Sequence, residues 1–141
     1  MAYLDTIDKL LEATQPLGSR GFRITAREID PKTVVMDCEG TVLNDKGVDL
    51  LDRMAAQAMD AGAVNLVFNM EALSIRPHVR PPYLGALIHI FSRANRSGGS
   101  VSLVQPNAMG DLLERTKMRS VFGIHETEQQ ALAAMAPARA L

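Results

Sequence analysis

The segment 76–85, RPHVRPPYLG, holds the side chains with the most distinctive chemistry in the chain. It has three prolines, two arginines and a histidine, and it leads into an apolar run. Guanidinium and imidazolium groups pair with carboxylates and phosphates, and prolines reduce the conformational freedom that binding must remove. The segment therefore predicts a stiff cationic surface for an acidic partner, although a few solvated arginines would give the same composition.

The charge distribution favours the same interpretation. The net charge is −1, but no acidic residue lies between Glu71 and Asp111. The basic and imidazole side chains in that interval are Arg76, His78, Arg80, His89, Arg93 and Arg96. The remainder of the chain is therefore net acidic. This asymmetry predicts a local surface that attracts an acidic partner or a phosphate.

Three hydroxyl groups are associated with the basic segment. Ser74 precedes it, Tyr83 lies within it, and Thr41 follows Gly40 in a predicted loop before a helix. Ser74 and Tyr83 are candidates for covalent modification, and Tyr83 is also a candidate aromatic anchor for a partner. Each hydroxyl equally fits an ordinary turn, capping or surface role.

The sequence contains no recognised catalytic or metal-binding pattern. None of GxxxxGK[ST], GxGxxG, GxSxG or HExxH occurs. The three histidines, His78, His89 and His125, have no metal-ligand spacing, and Cys38 is the only cysteine. We therefore predict that the protein is not an enzyme and has neither a cofactor nor a metal site.

The cellular compartment is predicted from what the chain lacks. A single cysteine excludes an intramolecular disulfide, which is typical of a reducing environment. The N-terminal sequence MAYLDTIDKLLEA does not resemble a signal peptide. No apolar stretch is long enough to span a bilayer. These features predict a cytoplasmic protein without a membrane span.

The elements that must position the basic segment follow from hydrophobic periodicity. Residues 3–14 are predicted to form an amphipathic helix that ends near Pro16. Residues 22–30 and 33–39 alternate as two strands of an antiparallel hairpin, and Gly40 is predicted to end the second.

Helices and strands then alternate. Asn44 or Asp45 is predicted to cap a helix that ends at Gly62, and residues 64–70 read as a central strand. The next helix begins in the basic segment, and its apolar stripe is Leu84, Leu87, Ile88 and Phe91.

The last third of the chain continues this alternation. Residues 101–104 are predicted to be a strand, Asn107 begins a helix, and residues 121–125 form a short edge strand. A final helix is predicted to end at Met135, followed by a frayed tail.

The order β-β-α-β-α-β-α-β-α predicts an α/β layered sandwich with a mixed sheet of about five strands. The predicted organisation is an N-terminal helix and linker at 1–20, a domain at 21–136 and a tail at 137–141. The N-terminal helix lies outside the sandwich. It is expected either to pack on its own domain or to pair with another copy, because a short helix is marginal unless its apolar face is covered.

Residues 22–136 resemble a STAS domain, the module of anti-sigma factor antagonists. The resemblance rests on three stretches, which are VNLVFNMEALSI, LGALIHIFSRANRSGGSVSLVQP and NAMGDLLERTKMRSVFGIHETEQQALAAM. It implies a layered α/β fold and a regulatory, protein-binding role. The partner it implies is an anti-sigma factor, a kinase-like ATPase domain or another STAS protein, with no direct contact to nucleic acid.

The chain departs from the family at the motif Asp-Ser-Ser-Gly-Leu-Gly, whose second serine is phosphorylated by a partner kinase. Arg80 replaces the Asp, Pro81 and Pro82 replace the two serines, and Leu84 and Gly85 match. Asn69 takes the place of an earlier Asp, and residues 76–78 are an insertion. Because proline has no hydroxyl group, the resemblance implies a protein that is non-switching or differently switched.

The partner-binding residues predicted from these arguments are Thr41, Ser74, Arg76, His78, Arg80, Pro81, Pro82, Tyr83 and Leu84. Two other functions stay open. A scaffold subunit of a signalling assembly would self-associate, for example as a homodimer, through the N-terminal helix. A small-anion or nucleotide-binding protein would use the helix N-terminus, although prolines there remove hydrogen-bond donors.

Overall fold

The computed structural model describes residues 21–140, and the side chains as far as Met135. The predicted helix and linker at 1–20 lie outside the described residues, as does Leu141. Within the described part, a mixed sheet of five strands has the order β1-β2-β3-β4-β5. The predicted fold class, an α/β sandwich around a mixed sheet, is confirmed.

The strands are β1 (Arg23–Asp30), β2 (Thr33–Val42), β3 (Asn65–Ile75), β4 (Ser100–Val104) and β5 (Gly123–His125). The first two pair antiparallel as the predicted hairpin. The remaining neighbours pair parallel. Parallel pairing is expected there because a helical crossover joins each strand to the next.

The helices are α1 (Asp45–Asp60), α2 (Arg80–Arg96), α3 (Leu112–Arg115) and α4 (Glu128–Ala140). Asn44 caps α1, since its side-chain oxygen accepts a hydrogen bond from the Lys46 amide at 2.9 Å. Short 3₁₀ turns precede α2 and flank α3.

The helices cover the two faces of the sheet unequally. On one face, α1 and α2 pack against alternating strand residues that include Met36 and Phe68. On the other face, α4 covers a smaller cluster in which Val35 and Val67 contact Ala131. Successive strand residues point to opposite faces, so the apolar runs of β2 and β3 supply both cores.

Two strands are longer than predicted. Gly40 does not end β2, because its φ of +92° lets the strand pass beneath the carbonyl of Gly21. A β-carbon at Gly40 would lie 1.7 Å from that oxygen. The strand therefore continues to Val42, and β3 continues with it to Ile75. A register shift between Asp37 and Glu39 accommodates the irregularity.

Other element boundaries also differ from the predictions. The helix predicted from Asn107 is a 3₁₀ turn followed by α3, because Gly110 interrupts it with a φ of +59°. The predicted edge strand starts at Gly123 instead of Val121. The final helix extends past Met135 to Ala140, which is consistent with the high helix propensity of its alanines.

Candidate docking surface

The end of β3 and the start of α2 position the basic segment. Beyond Asn69, β3 pairs only with β2, since its pairing with β4 ends there. The Arg76 amide donates to the Val42 carbonyl at 3.1 Å, which fixes the point where the chain leaves the sheet. A 3₁₀ turn at Pro77–Val79 then leads directly into α2. The segment is therefore held by ordered backbone on both sides.

Six residues of this region are exposed, namely Ser74, Arg76, Pro77, His78, Pro81 and Pro82. We call them the 74–82 surface. Neither Arg76 nor His78 forms an ion pair with any described residue. By contrast, Arg23, Arg27 and Arg93 pair with carboxylates of the protein itself. The side chains of Arg76 and His78 are therefore available to an external partner.

Arg80 has a structural role that the sequence did not reveal. Its Nε donates to the Ile75 carbonyl at 3.3 Å. Its guanidinium lies against Gly110, where an added β-carbon would meet Nη1 at 2.9 Å. Arg80 thus braces the end of β3 and the turn at 107–110, and it is only half exposed. The cationic contribution to the surface therefore comes mainly from Arg76.

Thr41 and Ser74 are register neighbours on β2 and β3. The strands hold both residues, so the loop predicted for Thr41 is wrong. They point away from the core that buries Val42 and Ile75. Ser74 is exposed and Thr41 is half-buried, so Ser74 is the more accessible hydroxyl.

The N-terminus of α2 provides few donors for an anion. Pro81 and Pro82 occupy its second and third positions and have no N–H. The Arg80 amide is already bonded to the Pro77 carbonyl. No side chain caps the helix, and no acidic residue lies in its first turn. This end of the helix is suited to shape and charge recognition rather than to cradling a phosphate.

Comparison with known proteins identifies the fold of this chain. No protein-family model matches the sequence, and no curated protein sequence matches it. Solved structures do match. An anti-sigma factor antagonist from Mycobacterium paratuberculosis superimposes with a TM-score of 0.65 at 15% identity, covering 83% of this chain and 97% of that one. The chain has the STAS fold. At such low identity, the likeness establishes the fold alone.

Two further structures with the STAS fold agree. A candidate anti-sigma factor antagonist from Thermotoga maritima has a TM-score of 0.67 at 21% identity, covering 82% of this chain and 94% of that one. The Bacillus cell fate determinant SpoIIAA, in its phosphorylated form, has a TM-score of 0.63 at 17% identity, covering 79% and 98%. The STAS fold therefore accounts for nearly the whole of those chains and leaves about a fifth of this one unmatched.

Two of the predicted partner-binding residues are buried within this STAS fold. Tyr83 is 0% exposed and Leu84 is 5% exposed. The predictions that Tyr83 anchors a partner or carries a modification are therefore wrong, and so is the partner contact predicted for Leu84. The reason is helical geometry, because both side chains project from the first turn of α2 toward the sheet.

The Tyr83 hydroxyl is an unusual feature of that core. It is buried and makes no hydrogen bond of ordinary geometry with the described residues. The thiol of Cys38 is its polar neighbour, and burial raises the pKa of that thiol to about 12. Burial, together with Cys38, raises the pKa of Tyr83 well above 10.0. Both groups therefore stay neutral across the physiological range.

A depression at the ends of two strands was not foreseen from the sequence. It has a volume of about 680 Å³ and lies where β4 and β5 end, between Gln105 and His125. Gln105 has a φ of +47°, and its side-chain amide donates to the Glu126 carbonyl at 2.9 Å. This bond ties the ends of the two strands together, which explains the unusual backbone as a structural device.

The described residues contain neither a candidate metal cluster nor a candidate membrane-spanning helix. No three His, Cys, Asp or Glu side chains there are grouped so that they could hold a metal ion. No helix in that part of the chain combines the length and the apolar character needed to cross a bilayer.

Proposed function

We propose that the protein is a cytoplasmic regulatory binding module that docks a protein partner through the 74–82 surface. The partner is an anti-sigma factor, a kinase-like ATPase domain or another STAS protein. The observation that supports this proposal is the pair of exposed, unpaired side chains Arg76 and His78 on a backbone stiffened by prolines. The similar folds of anti-sigma factor antagonists support the same class of function.

The same proposal holds that this module does not use the phosphoserine switch. SpoIIAA has been solved in unphosphorylated and phosphorylated forms. In this chain, the resemblance to the family motif assigns Pro82 to the position of the phosphorylated serine. Pro82 is exposed in the first turn of α2, so the position is accessible but has no hydroxyl group. Binding is therefore constitutive unless another residue is modified.

Rigidity and charge have separate effects on the proposed complex. Pro77, Pro81 and Pro82 limit the backbone freedom that would be lost when the partner binds. Arg76 and His78 lie at an exposed surface, where charges act mainly on the association rate and on partner choice. We therefore expect an acidic partner surface and association that slows as salt concentration rises.

Charge reversal at Arg76 tests the docking surface. Affinity capture from the native organism should recover a partner with the wild-type protein and lose it with Arg76→Asp. Lys32→Asp is the matched control, because Lys32 is exposed at the opposite end of β2 and forms no ion pair with a described residue. Arg80 is unsuitable for this test, since its substitution would also disturb Ile75 and Gly110.

Equal recovery of every partner by the wild type, Arg76→Asp and Lys32→Asp would show that the 74–82 surface is not the docking site. Intact-mass spectrometry of protein purified from its native cell tests the absence of a switch. An unmodified mass is expected. A stoichiometric phosphate at Ser74, which is exposed on β3, would show instead that a switch has moved to another residue.

A further inference from the structure

A groove separates α1 from α2 on the outer side of the larger core. It has a volume of about 320 Å³. Its floor is apolar and consists of Ala56, Met59 and Ile90. Ala56 and Met59 are only half-buried, although they lie in the middle of the helical layer. An apolar groove of this kind favours an occupant that brings its own apolar side chains.

His89 and Arg93 line the groove on the α2 side, and Arg96 lies beyond them on the same helix. His89, Arg93 and Arg96 follow one another at i, i+4 and i+7, so they lie along one face of α2. The whole of α2 lacks acidic residues. On the α1 side, Arg53 lines the groove and has no ion pair among the described residues. Asp52 also lines the groove, and Arg93 is paired with Asp60. The positive charge left for an acidic occupant therefore comes from Arg53 and Arg96, neither of which pairs with a described carboxylate.

The chain itself contains a segment with these two properties. Between residues 3 and 14, an apolar row is formed by Leu4, Ile7 and Leu11. An acidic row of the same spacing follows one residue later at each step, and consists of Asp5, Asp8 and Glu12. In a helix, neighbouring residues are about 100° apart, so the acidic row would run beside the apolar row along its whole length.

We propose that residues 3–14 of the same chain form a helix that lies in the groove between α1 and α2. Its apolar row contacts the floor of the groove, and its acidic row faces the basic row of α2. This proposal concerns a surface different from the 74–82 surface, and it does not depend on the proposed function.

The connection is long enough for this arrangement. The described chain begins at Gly21, whose carbonyl lies against Gly40 near the end of β2, and α1 starts shortly after that strand. Ala56 lies roughly 17 Å along α1 from its first residue at 1.5 Å per residue. The linker 15–20 spans up to about 20 Å when extended. Phe22 enters the same core layer that α1 covers, so the chain approaches on the correct face.

A second exposed surface of the domain is a poorer site for the segment. It is the part of the sheet beside α4, where depressions are lined by Arg23, Asp37, Glu39 and Glu71. An apolar row packed there would bury charged groups, which is costly unless each one is paired and hydrogen-bonded.

Paramagnetic relaxation in the full chain tests the position of the segment. A nitroxide label is attached to Lys9→Cys, a position outside both rows of the segment. Cys38 does not compete for the reagent, because it is 2% exposed. Amide signals of Ala56, Met59 and His89 should lose most of their intensity relative to the ascorbate-reduced sample. Amides of Thr25 and Glu71, on the other face of the sheet, should keep theirs.

Each of three other outcomes would overturn the proposal. Broadening at Thr25 and Glu71 would place the segment on the sheet face beside α4. In a mixture of spin-labelled protein without ¹⁵N and ¹⁵N-enriched protein without a spin label, broadening of the ¹⁵N signals would place the segment on a second copy. Absence of broadening at every described amide would show that the segment does not dock on the domain.

Two variants of the labelled protein test the contacts. Ile7→Asp should abolish the broadening in the groove while leaving the amide spectrum of the domain in place. Arg96→Glu should reduce the broadening at least twofold at low salt, whereas the control Lys32→Glu should leave it unchanged. Broadening that persists unchanged in both Ile7→Asp and Arg96→Glu would contradict the proposed packing.

Discussion

Replacing Tyr83 with phenylalanine removes a single oxygen atom from the centre of the fold. The ring is completely buried beneath the first turn of α2, and its hydroxyl has no hydrogen bond of ordinary geometry with the described residues. The nearby Cys38 thiol is directed at the Met36 carbonyl, with Sγ and the oxygen 3.8 Å apart. Only the sulfur lone pairs are then left for the tyrosine, and sulfur is a weak acceptor.

The size of the effect follows from the desolvation of that hydroxyl. A buried polar group without a full hydrogen bond costs about 1–3 kcal/mol, and the weak contact with sulfur recovers part of this cost. Phenylalanine keeps the ring and its packing, so no cavity is created. We expect Tyr83→Phe to increase the free energy of unfolding by about 1 kcal/mol. The melting temperature should rise by roughly 3–5 °C for a chain of this size.

Urea denaturation and calorimetry at pH 7 measure this change directly. A double-mutant cycle with Cys38→Ala isolates the contact between the two side chains, and its coupling energy should be below about 0.5 kcal/mol. Tyr83→Leu is the control for the ring, and it should destabilise the protein because it removes aromatic packing. A loss of more than 1 kcal/mol in Tyr83→Phe would refute the reasoning, since the hydroxyl would then have a strong partner.

Three other predictions concern pH, a glycine and the missing hydroxyl. The pKa of the Cys38 thiol is about 12 in the folded protein, against an ordinary value of 9.0, so the unfolded chain loses this proton first. The free energy of unfolding, measured in urea, should therefore fall as pH rises from about 9, by up to about 1.4 kcal/mol per pH unit. The variant Cys38→Ala should show a smaller loss. Gly40→Ala would place a β-carbon 1.7 Å from the Gly21 carbonyl oxygen, so it should lower the free energy of unfolding by more than about 2 kcal/mol. Gly85 lies in open space on α2, so the control Gly85→Ala should raise the free energy of unfolding by roughly 0.5–1 kcal/mol. Equal thermal shifts for the two variants would contradict the assigned geometry. Pro82→Ser restores a hydroxyl on α2, so a captured kinase-like partner with ATP should add one phosphate to this variant and none to the wild type, as measured by intact mass.

The alternation of elements was predictable because it depends on local periodicity. The hairpin of β1 and β2, the Asn44 cap of α1 and the start of α2 in the basic segment all follow from neighbouring residues. Strand ends were less predictable. Glycine usually weakens or ends a strand, and Gly40 was predicted to do so. The carbonyl of Gly21, which is distant in sequence, lies so close to Gly40 that a side chain does not fit there, and the strand continues through this glycine.

The candidate site was predictable in composition but not in orientation. Residues 76–82 contain the arginines, histidine and prolines from which the sequence predicted a docking surface. The position of Tyr83 on α2 directs its side chain into the core, and the Arg80 side chain contacts Gly110. These outcomes depend on which face of α2 meets the sheet and on what lies beyond its end, and neither is encoded in a local pattern.

By itself, the sequence determined the class of fold, the absence of acids from residues 72–110 and the lack of a hydroxyl at Pro82, because these are properties of composition and short-range spacing. Only the tertiary structure decided that Arg76 and His78 are exposed and form no ion pair with the described residues, that Tyr83 is buried beside Cys38, and that a groove opens between α1 and α2. The physical reason is that burial and ion pairing depend on packing between elements far apart in the chain, which local sequence does not specify.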